Sequence, residues 1–123
     1  MSVKQVTIED LTQSSQFDTV LVDAPCSGSG SWRRDPQGKW LLTEEKLDQV
    51  IQLQSEILNQ VSSMVMPNGN LVFATCSLFD RENELQIKKF MDHNETFSLL
   101  SERHFTPLEG GDGFYCAVLR KNS

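Results

Sequence analysis

Two of the three cysteines in this 123-residue chain directly follow or close an apolar segment. Cys26 follows FDTVLVDAP, residues 17–25, and Cys76 closes NLVFATC, residues 70–76. If both segments are neighbouring parallel strands, their axes lie about 5 Å apart and both thiols open onto one sheet edge. Ligands bind at that carboxyl edge in open α/β sheets. These positions make a function for Cys26 and Cys76 an interpretation equal to the usual role of a free cysteine as a small buried side chain. For Cys116 we expect the usual role.

A nucleophilic thiol must lose its proton, and a free cysteine is only a few per cent ionised near neutral pH. Cys76 comes just before a predicted helix start at Asp80, where unpaired backbone N–H groups favour negative charge. Arg33 and Arg34 add positive potential if their loop folds over the sheet edge. Asp23 brings a carboxyl group to the same edge, as an acceptor or, if buried, as a proton donor.

The other residue types available near the two thiols limit the reactions that such a site can catalyse. Cysteine proteases and acyl transferases need a base such as histidine, and the spacing of His93 and His104 indicates no Cys–His pair. No CxxC motif or Cys/His cluster predicts a metal site. Methylation at carbon 5 of a pyrimidine does fit. A thiolate adding at carbon 6 makes carbon 5 nucleophilic, a carboxyl group at N3 stabilises the adduct, and elimination releases the thiol.

The overall charge argues against a protein that grips nucleic acid mainly through phosphates. The formal net charge is −6, whereas such proteins are basic. A local basic cluster of Arg33, Arg34 and Lys39 is the exception, and a solvated charged loop is its alternative interpretation. No segment is apolar enough to span a membrane and the N-terminus has no secretory signal pattern, so we expect a cytoplasmic protein with reduced thiols.

The order of elements predicts an α/β fold. Val20, Leu21 and Val22 suit a strand buried on both faces, and Pro25 ends it. Further apolar patterns predict a helix from the N-cap Thr43 through Val65, ended by Pro67-Asn68-Gly69; a strand over 70–76; a helix over 80–93 with Asp80 as N-cap; strands over 96–101 and 114–121; a turn over 109–113; and an additional strand over 3–8. Alternating strands and helices indicate a parallel sheet with right-handed crossovers, and the last two strands form an antiparallel pair.

Four ordered motifs between Phe17 and Lys121 resemble the Sun/Fmu (RsmB-like) family of RNA (cytosine-5)-methyltransferases. They are Asp23-Ala24-Pro25-Cys26-Ser27-Gly28 with Arg33-Arg34, Thr75-Cys76-Ser77, Glu82-Asn83-Glu84, and Gly111-Asp112-Gly113-Phe114-Tyr115 continuing to Lys121. The resemblance implies the C-terminal half of a Rossmann-like class I methyltransferase that uses S-adenosylmethionine. Its implied substrate is ribosomal RNA, with transfer RNA as the alternative, and no membrane or metal is implied.

The resemblance also implies roles for individual residues. Cys76 is the nucleophile that attacks carbon 6, and Cys26 assists release of the methylated RNA. Asp23 lies between the cofactor and the target base, and Asp23 and Pro25 are cofactor contacts. The residue types themselves add candidate RNA contacts: Ser27 and Gly28 form a backbone that a nucleotide can approach closely, and Arg33 and Arg34 are candidate phosphate contacts. In DNA enzymes of related chemistry the PC cysteine attacks, so the residues alone leave the order of the two thiols open.

One departure from the family concerns the cofactor loop. No GxGxG precedes Asp23 in this chain, and Glu9-Asp10 is the one acidic remnant that could face the adenine. We therefore expect residues 1–123 to be a single partial domain that is inactive by itself. The alternative is a non-catalytic remnant that self-associates through an exposed sheet edge or binds a partner. A thiol-redox role for Cys26 and Cys76 is a third hypothesis.

Overall fold

The computed structural model describes residues 16–31, 42–105 and 113–122. Its elements, in chain order, are β1 (Phe17–Asp23), α1 (Glu44–Val61), β2 (Val65–Thr75), α2 (Glu84–His93), β3 (Phe97–Phe105) and β4 (Phe114–Lys121). The strands form one sheet in the order β1-β2-β4-β3, in which β1 and β2 are parallel and the other two pairs are antiparallel. The predicted α/β class with a terminal antiparallel pair is confirmed. The predicted strand over 3–8, the pair Glu9-Asp10, and all of the 109–113 turn except Gly113 lie outside the described residues.

The parallel pairing of β1 and β2 brings the two cysteine-bearing segments to one edge. Val22 pairs with Phe73 and Asp23 pairs with Ala74. One further bond, from the Ala24 N–H to the Ala74 carbonyl at 2.9 Å, extends the ladder past the end of β1. The strands therefore end together, and Cys26 and Cys76 follow at the same carboxyl edge, as the apolar runs predict.

The core lies between the sheet and the two helices. β-Strand side chains meet α1 and α2 in one cluster that includes Val20, Val22, Leu71, Phe73, Leu119, Leu58, Ile87 and Phe90. The expectation that β1 is buried on both faces is wrong for the described part of the chain. Leu21, on the face away from the helices, is 66% exposed. No helix in the described ranges is long and apolar enough to cross a membrane.

Helix α1 begins as predicted and ends earlier than predicted. The Thr43 side chain caps it by accepting the Lys46 N–H at 3.1 Å. The helix ends at Val61, and a 3₁₀ turn over Ser62–Met64 follows. Val65 fits the apolar stripe of the helix in sequence but pairs with Phe17 in the sheet. Tertiary pairing therefore overrides the helical pattern.

Residues 66–69 form an irregularity inside β2 instead of a helix stop. The register moves from Phe17–Val65 to Thr19–Asn70, so four residues of β2 stand opposite Asp18. Asn68 has a φ of 67°, in the left-handed region that asparagine tolerates. The turn-forming residues Pro67-Asn68-Gly69 therefore lie within the strand and do not end the helix.

Helix α2 begins later than predicted because two side chains near its start turn inward. Asp80 opens a 3₁₀ turn over Asp80–Glu82 and does not cap the helix, whose N-cap is Asn83. Asn83 has φ −113° and ψ −106°, which is not helical, and both Glu82 and Asn83 are buried. After α2, strand β3 runs to Phe105, beyond the predicted end at residue 101, and it includes His104.

Candidate active site

The two thiols differ in exposure. Cys76 is exposed, whereas Cys26 is half-buried. The loop after β1 crosses to the other cysteine, because the Gly30 N–H donates to the Cys76 carbonyl at 2.8 Å. Asp23 and Pro25 are exposed at the same edge. The edge therefore presents an open thiol and an open carboxylate beside a second, more enclosed thiol.

The enclosed thiol is the harder of the two to ionise. Burial raises the pKa of Cys26 above its ordinary value of 9.0, and the charges of Glu82 and Cys76 add to this effect. Hydrogen bonds from the backbones of Cys76 and Gly28 lower the pKa but do not cancel the burial. Cys26 is accordingly a neutral thiol near neutral pH.

A buried polar network supports the two cysteine loops. Its centre is Glu82, which is 0% exposed. Its Oε1 accepts the Ser27 N–H at 2.7 Å and the Gln54 Nε2–H at 3.3 Å. Its Oε2 accepts the Ser27 hydroxyl at 2.7 Å and also the Ser77 hydroxyl. One carboxylate thus holds both cysteine loops, which the sequence separates by about fifty residues.

Cys76 is fixed through both of its neighbours. The Thr75 hydroxyl donates to Asn83 Oδ1 at 2.6 Å, and Asn83 Nδ2 donates to the Ser77 carbonyl at 2.8 Å. Thr75, Ser77 and Asn83 are all buried. Buried side-chain hydrogen bonds therefore hold the backbone on both sides of Cys76, although Cys76 itself is exposed.

The serines of the Cys26 loop close the connection between the loops. Ser29 is buried, and its Oγ accepts the Leu78 N–H at 2.8 Å. The Ser29 N–H donates to Ser27 Oγ at 3.2 Å. Gly28, between them, has a φ of 74°, which glycine adopts without strain. The alternating serines and glycines therefore form a tight turn whose serine side chains are hydrogen-bonded within the protein.

Comparison with known proteins agrees with this architecture. Residues 1–120 match the family model described as 16S rRNA methyltransferase RsmB/F. The chain belongs to this family. The ribosomal RNA small subunit methyltransferase B of Photorhabdus laumondii is 42% identical over 121 residues, which cover 92% of this chain and 28% of the relative. The chain thus spans little more than a quarter of the length of that relative.

Several solved structures resemble the chain in three dimensions, among them two from Pyrococcus horikoshii. A methyltransferase homologue from Pyrococcus horikoshii superposes with a TM-score of 0.73 at 28% identity, over 87% of this chain and 40% of the other. NSun6 from Pyrococcus horikoshii, solved with SFG, superposes with a TM-score of 0.82 at 22% identity, over 99% of this chain and 35% of the other. The second likeness concerns the fold alone.

The structure unites some of the predicted site residues of this RsmB/F chain. Asp23, Pro25, Cys26 and Cys76 share the carboxyl edge. Ser27 and Gly28 lie in the adjoining turn, where the Ser27 N–H and hydroxyl proton both go to Glu82. Arg33 and Arg34 lie outside the described residues. The RNA contacts expected at these positions remain predictions.

The sequence pattern missed the buried polar residues that support the edge. Gln54 interrupts the apolar stripe of α1, and its Nε2 donates to the Pro25 carbonyl at 2.8 Å. Gln86, on α2, donates to Gln54 Oε1 at 3.2 Å. A glutamine at a buried stripe position was the available signal, because a buried amide requires a polar partner.

Proposed function

We propose that this chain is part of an RNA (cytosine-5)-methyltransferase and that its substrate is ribosomal RNA. The observation that carries the proposal is the joining of Cys26 and Cys76 at one sheet edge, within a chain that matches the 16S rRNA methyltransferase RsmB/F model. The name of the Photorhabdus relative supports ribosomal RNA over transfer RNA.

In the proposed reaction Cys76 is the nucleophile. Its exposed thiolate adds to carbon 6 of cytosine, so a carbon–sulfur bond forms and the electron pair of the ring double bond moves to carbon 5. After carbon 5 has gained its methyl group, that carbon gives its proton to solvent water and the electron pair of the carbon–hydrogen bond restores the ring double bond. The carbon–sulfur bond then breaks and its electron pair returns to Cys76 as the thiolate. The half-buried Cys26 assists this release, as the resemblance implies.

Asp23 contacts both the cofactor and the target base in this proposal. Its exposed carboxylate follows β1 at the same edge, where it can accept hydrogen bonds from a cationic cofactor and contact the target base. The role as a proton donor was expected only for a buried Asp23, and Asp23 is exposed. Pro25 lies beside it as an apolar contact. These residues fit one side of an S-adenosylmethionine site, and that cofactor supplies the methyl group when bound. Ser27, Gly28, Arg33 and Arg34 are the proposed RNA contacts.

We further propose that residues 1–123 are one partial domain and that methyl transfer requires the remainder of a longer protein. The chain spans 28% of the Photorhabdus relative. The test therefore places this chain in that relative, in exchange for the matching segment, and measures methylation of ribosomal RNA. We expect the Cys26→Ser variant to accumulate a protein–RNA complex that survives denaturing electrophoresis, because addition proceeds while release stalls.

Matched variants identify the attacking thiol. Cys76→Ser should abolish both methylation and the trapped complex, and Cys116→Ser, in mid-strand, should retain methylation. Methylation that persists in Cys76→Ser would show that another group attacks the base. Absence of the complex in Cys26→Ser would remove the release role of Cys26.

A second candidate function is a non-catalytic one, in which the chain self-associates. The observation in its favour is that β1 is an edge of the described sheet and carries the 66% exposed Leu21. Size-exclusion chromatography of the 123-residue chain and calorimetry with S-adenosylmethionine separate the two candidates. A dimer without cofactor binding favours self-association, and a monomer that binds the cofactor contradicts it.

A further inference from the structure

Glu82 grips the residue that directly follows each cysteine. Ser27 comes after Cys26 and donates through both its N–H and its hydroxyl, each at 2.7 Å. Ser77 comes after Cys76 and donates through its hydroxyl. A single side chain, 0% exposed, therefore fixes the spacing of the two thiol-bearing backbones.

Burying a carboxylate without a cationic partner is unfavourable unless every lone pair is well used. Among the described residues the ion pairs are Arg81–Asp48 and His104–Glu84, and neither includes Glu82. Four donors meet this requirement at Glu82: the N–H and hydroxyl of Ser27, the Nε2–H of Gln54 and the hydroxyl of Ser77.

We infer that Glu82 is a positioning residue, which holds the Cys26 loop in register with the Cys76 loop through Ser27 and Ser77. The inference rests on the proposed function for its catalytic meaning, since it concerns the two thiols of that reaction. The hydrogen bonds from the two cysteine loops to Glu82 do not depend on which reaction the site carries out.

The hydrogen-bond polarity explains why a carboxylate is needed. Ser27 Oγ accepts the Ser29 N–H at 3.2 Å, and Ser77 Oγ accepts the Phe79 N–H at 3.0 Å. Each hydroxyl is thus an acceptor toward its own loop and directs its proton to Glu82. The two hydroxyl protons share Oε2, and Oε1 accepts the Ser27 and Gln54 N–H groups. A glutamine has one acceptor oxygen and one N–H donor group, so in either orientation Ser27 loses one of its two bonds to this side chain.

The test is the alkylation rate of each cysteine in the 123-residue chain, measured with iodoacetamide and resolved by mass spectrometry. In the wild type we expect the exposed Cys76 to react ahead of Cys26. Glu82→Gln should raise the Cys26 rate about two- to tenfold, the factor by which losing one hydrogen bond shifts a local opening equilibrium. Ile87→Val is the matched control, since it weakens the buried core of α2 at a residue 1% exposed.

Two results would overturn the inference. One is an unchanged Cys26 rate in Glu82→Gln. The other is an equal rise in Ile87→Val, which would mean that general loosening explains the effect. If Glu82→Gln does not fold, Ser27→Ala removes one of its bonds and should raise the Cys26 rate in the same direction; an unchanged rate there would equally overturn the inference.

A kinetic readout connects the position of Glu82 to catalysis. In the exchange protein built on the Photorhabdus relative, Glu82→Gln should lower kcat for methylation and leave KM for S-adenosylmethionine unchanged. A lowered kcat with a raised KM for the cofactor would contradict a role in thiol positioning. Absence of methylation in the wild-type exchange protein would count against the proposed function, whereas the alkylation rates would still decide the role of Glu82.

Discussion

The backbone of Gly30 lies directly against that of Gly113. The Gly113 N–H donates to the Gly30 carbonyl at 2.7 Å, and the Gly30 N–H in turn reaches the Cys76 carbonyl at 2.8 Å. A Cβ atom built on Gly30 would lie 2.1 Å from the Gly113 carbonyl oxygen and 2.9 Å from that of Cys76. Three segments distant in sequence therefore meet where no side chain can fit.

We expect Gly30→Ala to destabilise the chain by about 1–3 kcal/mol, because backbone atoms, not flexible side chains, would have to move. The measurement is the urea midpoint followed by circular dichroism. Lys88→Ala, at an exposed position of α2, is the control and should stay within about 0.5 kcal/mol of the wild type. Equal midpoints for Gly30→Ala and the control would mean that the loops separate freely.

Asn83→Ala should cost about 1–3 kcal/mol, because it leaves the buried Thr75 hydroxyl and the Ser77 carbonyl without their partner. The variant should also allow the segment around Cys76 to adopt more than one conformation. An amide NMR spectrum would show this as additional cross-peaks for residues 75–77. Asn59→Ala replaces an exposed asparagine of α1 and serves as the control. A sharp, single-state spectrum for Asn83→Ala would show that the hydrogen bonds of Asn83 do not hold the Cys76 segment in place.

Stability should fall as the pH rises above about 9. Burial raises the pKa of Cys26 above 9.0, and burial and the neighbouring Glu102 raise the pKa of Tyr115 above 10.0. At high pH the unfolded chain releases these protons while the folded chain keeps them, so deprotonation favours unfolding. Below the ordinary pKa values, Cys26 and Tyr115 are protonated in both the folded and the unfolded chain. Their full contribution to the free energy of unfolding is then present.

Urea midpoints at about pH 8 and about pH 10.5 test this dependence. Replacing both groups, by Cys26→Ser and Tyr115→Phe, should reduce the difference between the two midpoints. Ser63→Ala removes no titratable group and should keep the wild-type difference. If the double variant shows the full wild-type difference, other groups are responsible for the loss of stability.

Thr43→Ala should cost about 1 kcal/mol, since it removes the hydroxyl that accepts the Lys46 N–H at the start of α1. Thr43→Ser retains a hydroxyl and should recover most of the loss. Thermal unfolding of the three proteins gives the comparison. A Thr43→Ser variant as unstable as Thr43→Ala would show that the methyl group, not the cap, stabilises this end.

The features predictable from sequence were those set by local chemistry. Continuous apolar residues predicted β1 and β2, Pro25 marked the strand end, and Thr43 marked the start of α1. Their parallel pairing then placed Cys26 and Cys76 at one edge without knowledge of any contact. Periodicity and turn chemistry act within a few residues, which is why these elements could be read directly.

The features that escaped prediction depend on partners far along the chain. Val65 continues the helical stripe, yet its place in β2 is decided by Phe17. The start of α2 is set by Asn83 and not Asp80, because Glu82 is drawn toward Ser27, 55 residues away. No local pattern encodes a buried carboxylate that serves two loops.

Gln54 extends this dependence to helix α1. It joins the Pro25 carbonyl to Glu82 and also receives Gln86 from α2, so the support for the thiols draws on both helices and on both cysteine loops. Every one of these contacts closes a long stretch of chain, and the network has high contact order. The network therefore requires distant parts of the chain to come together, and a chain in which it has not formed offers two unrelated cysteines where the native one offers a paired site.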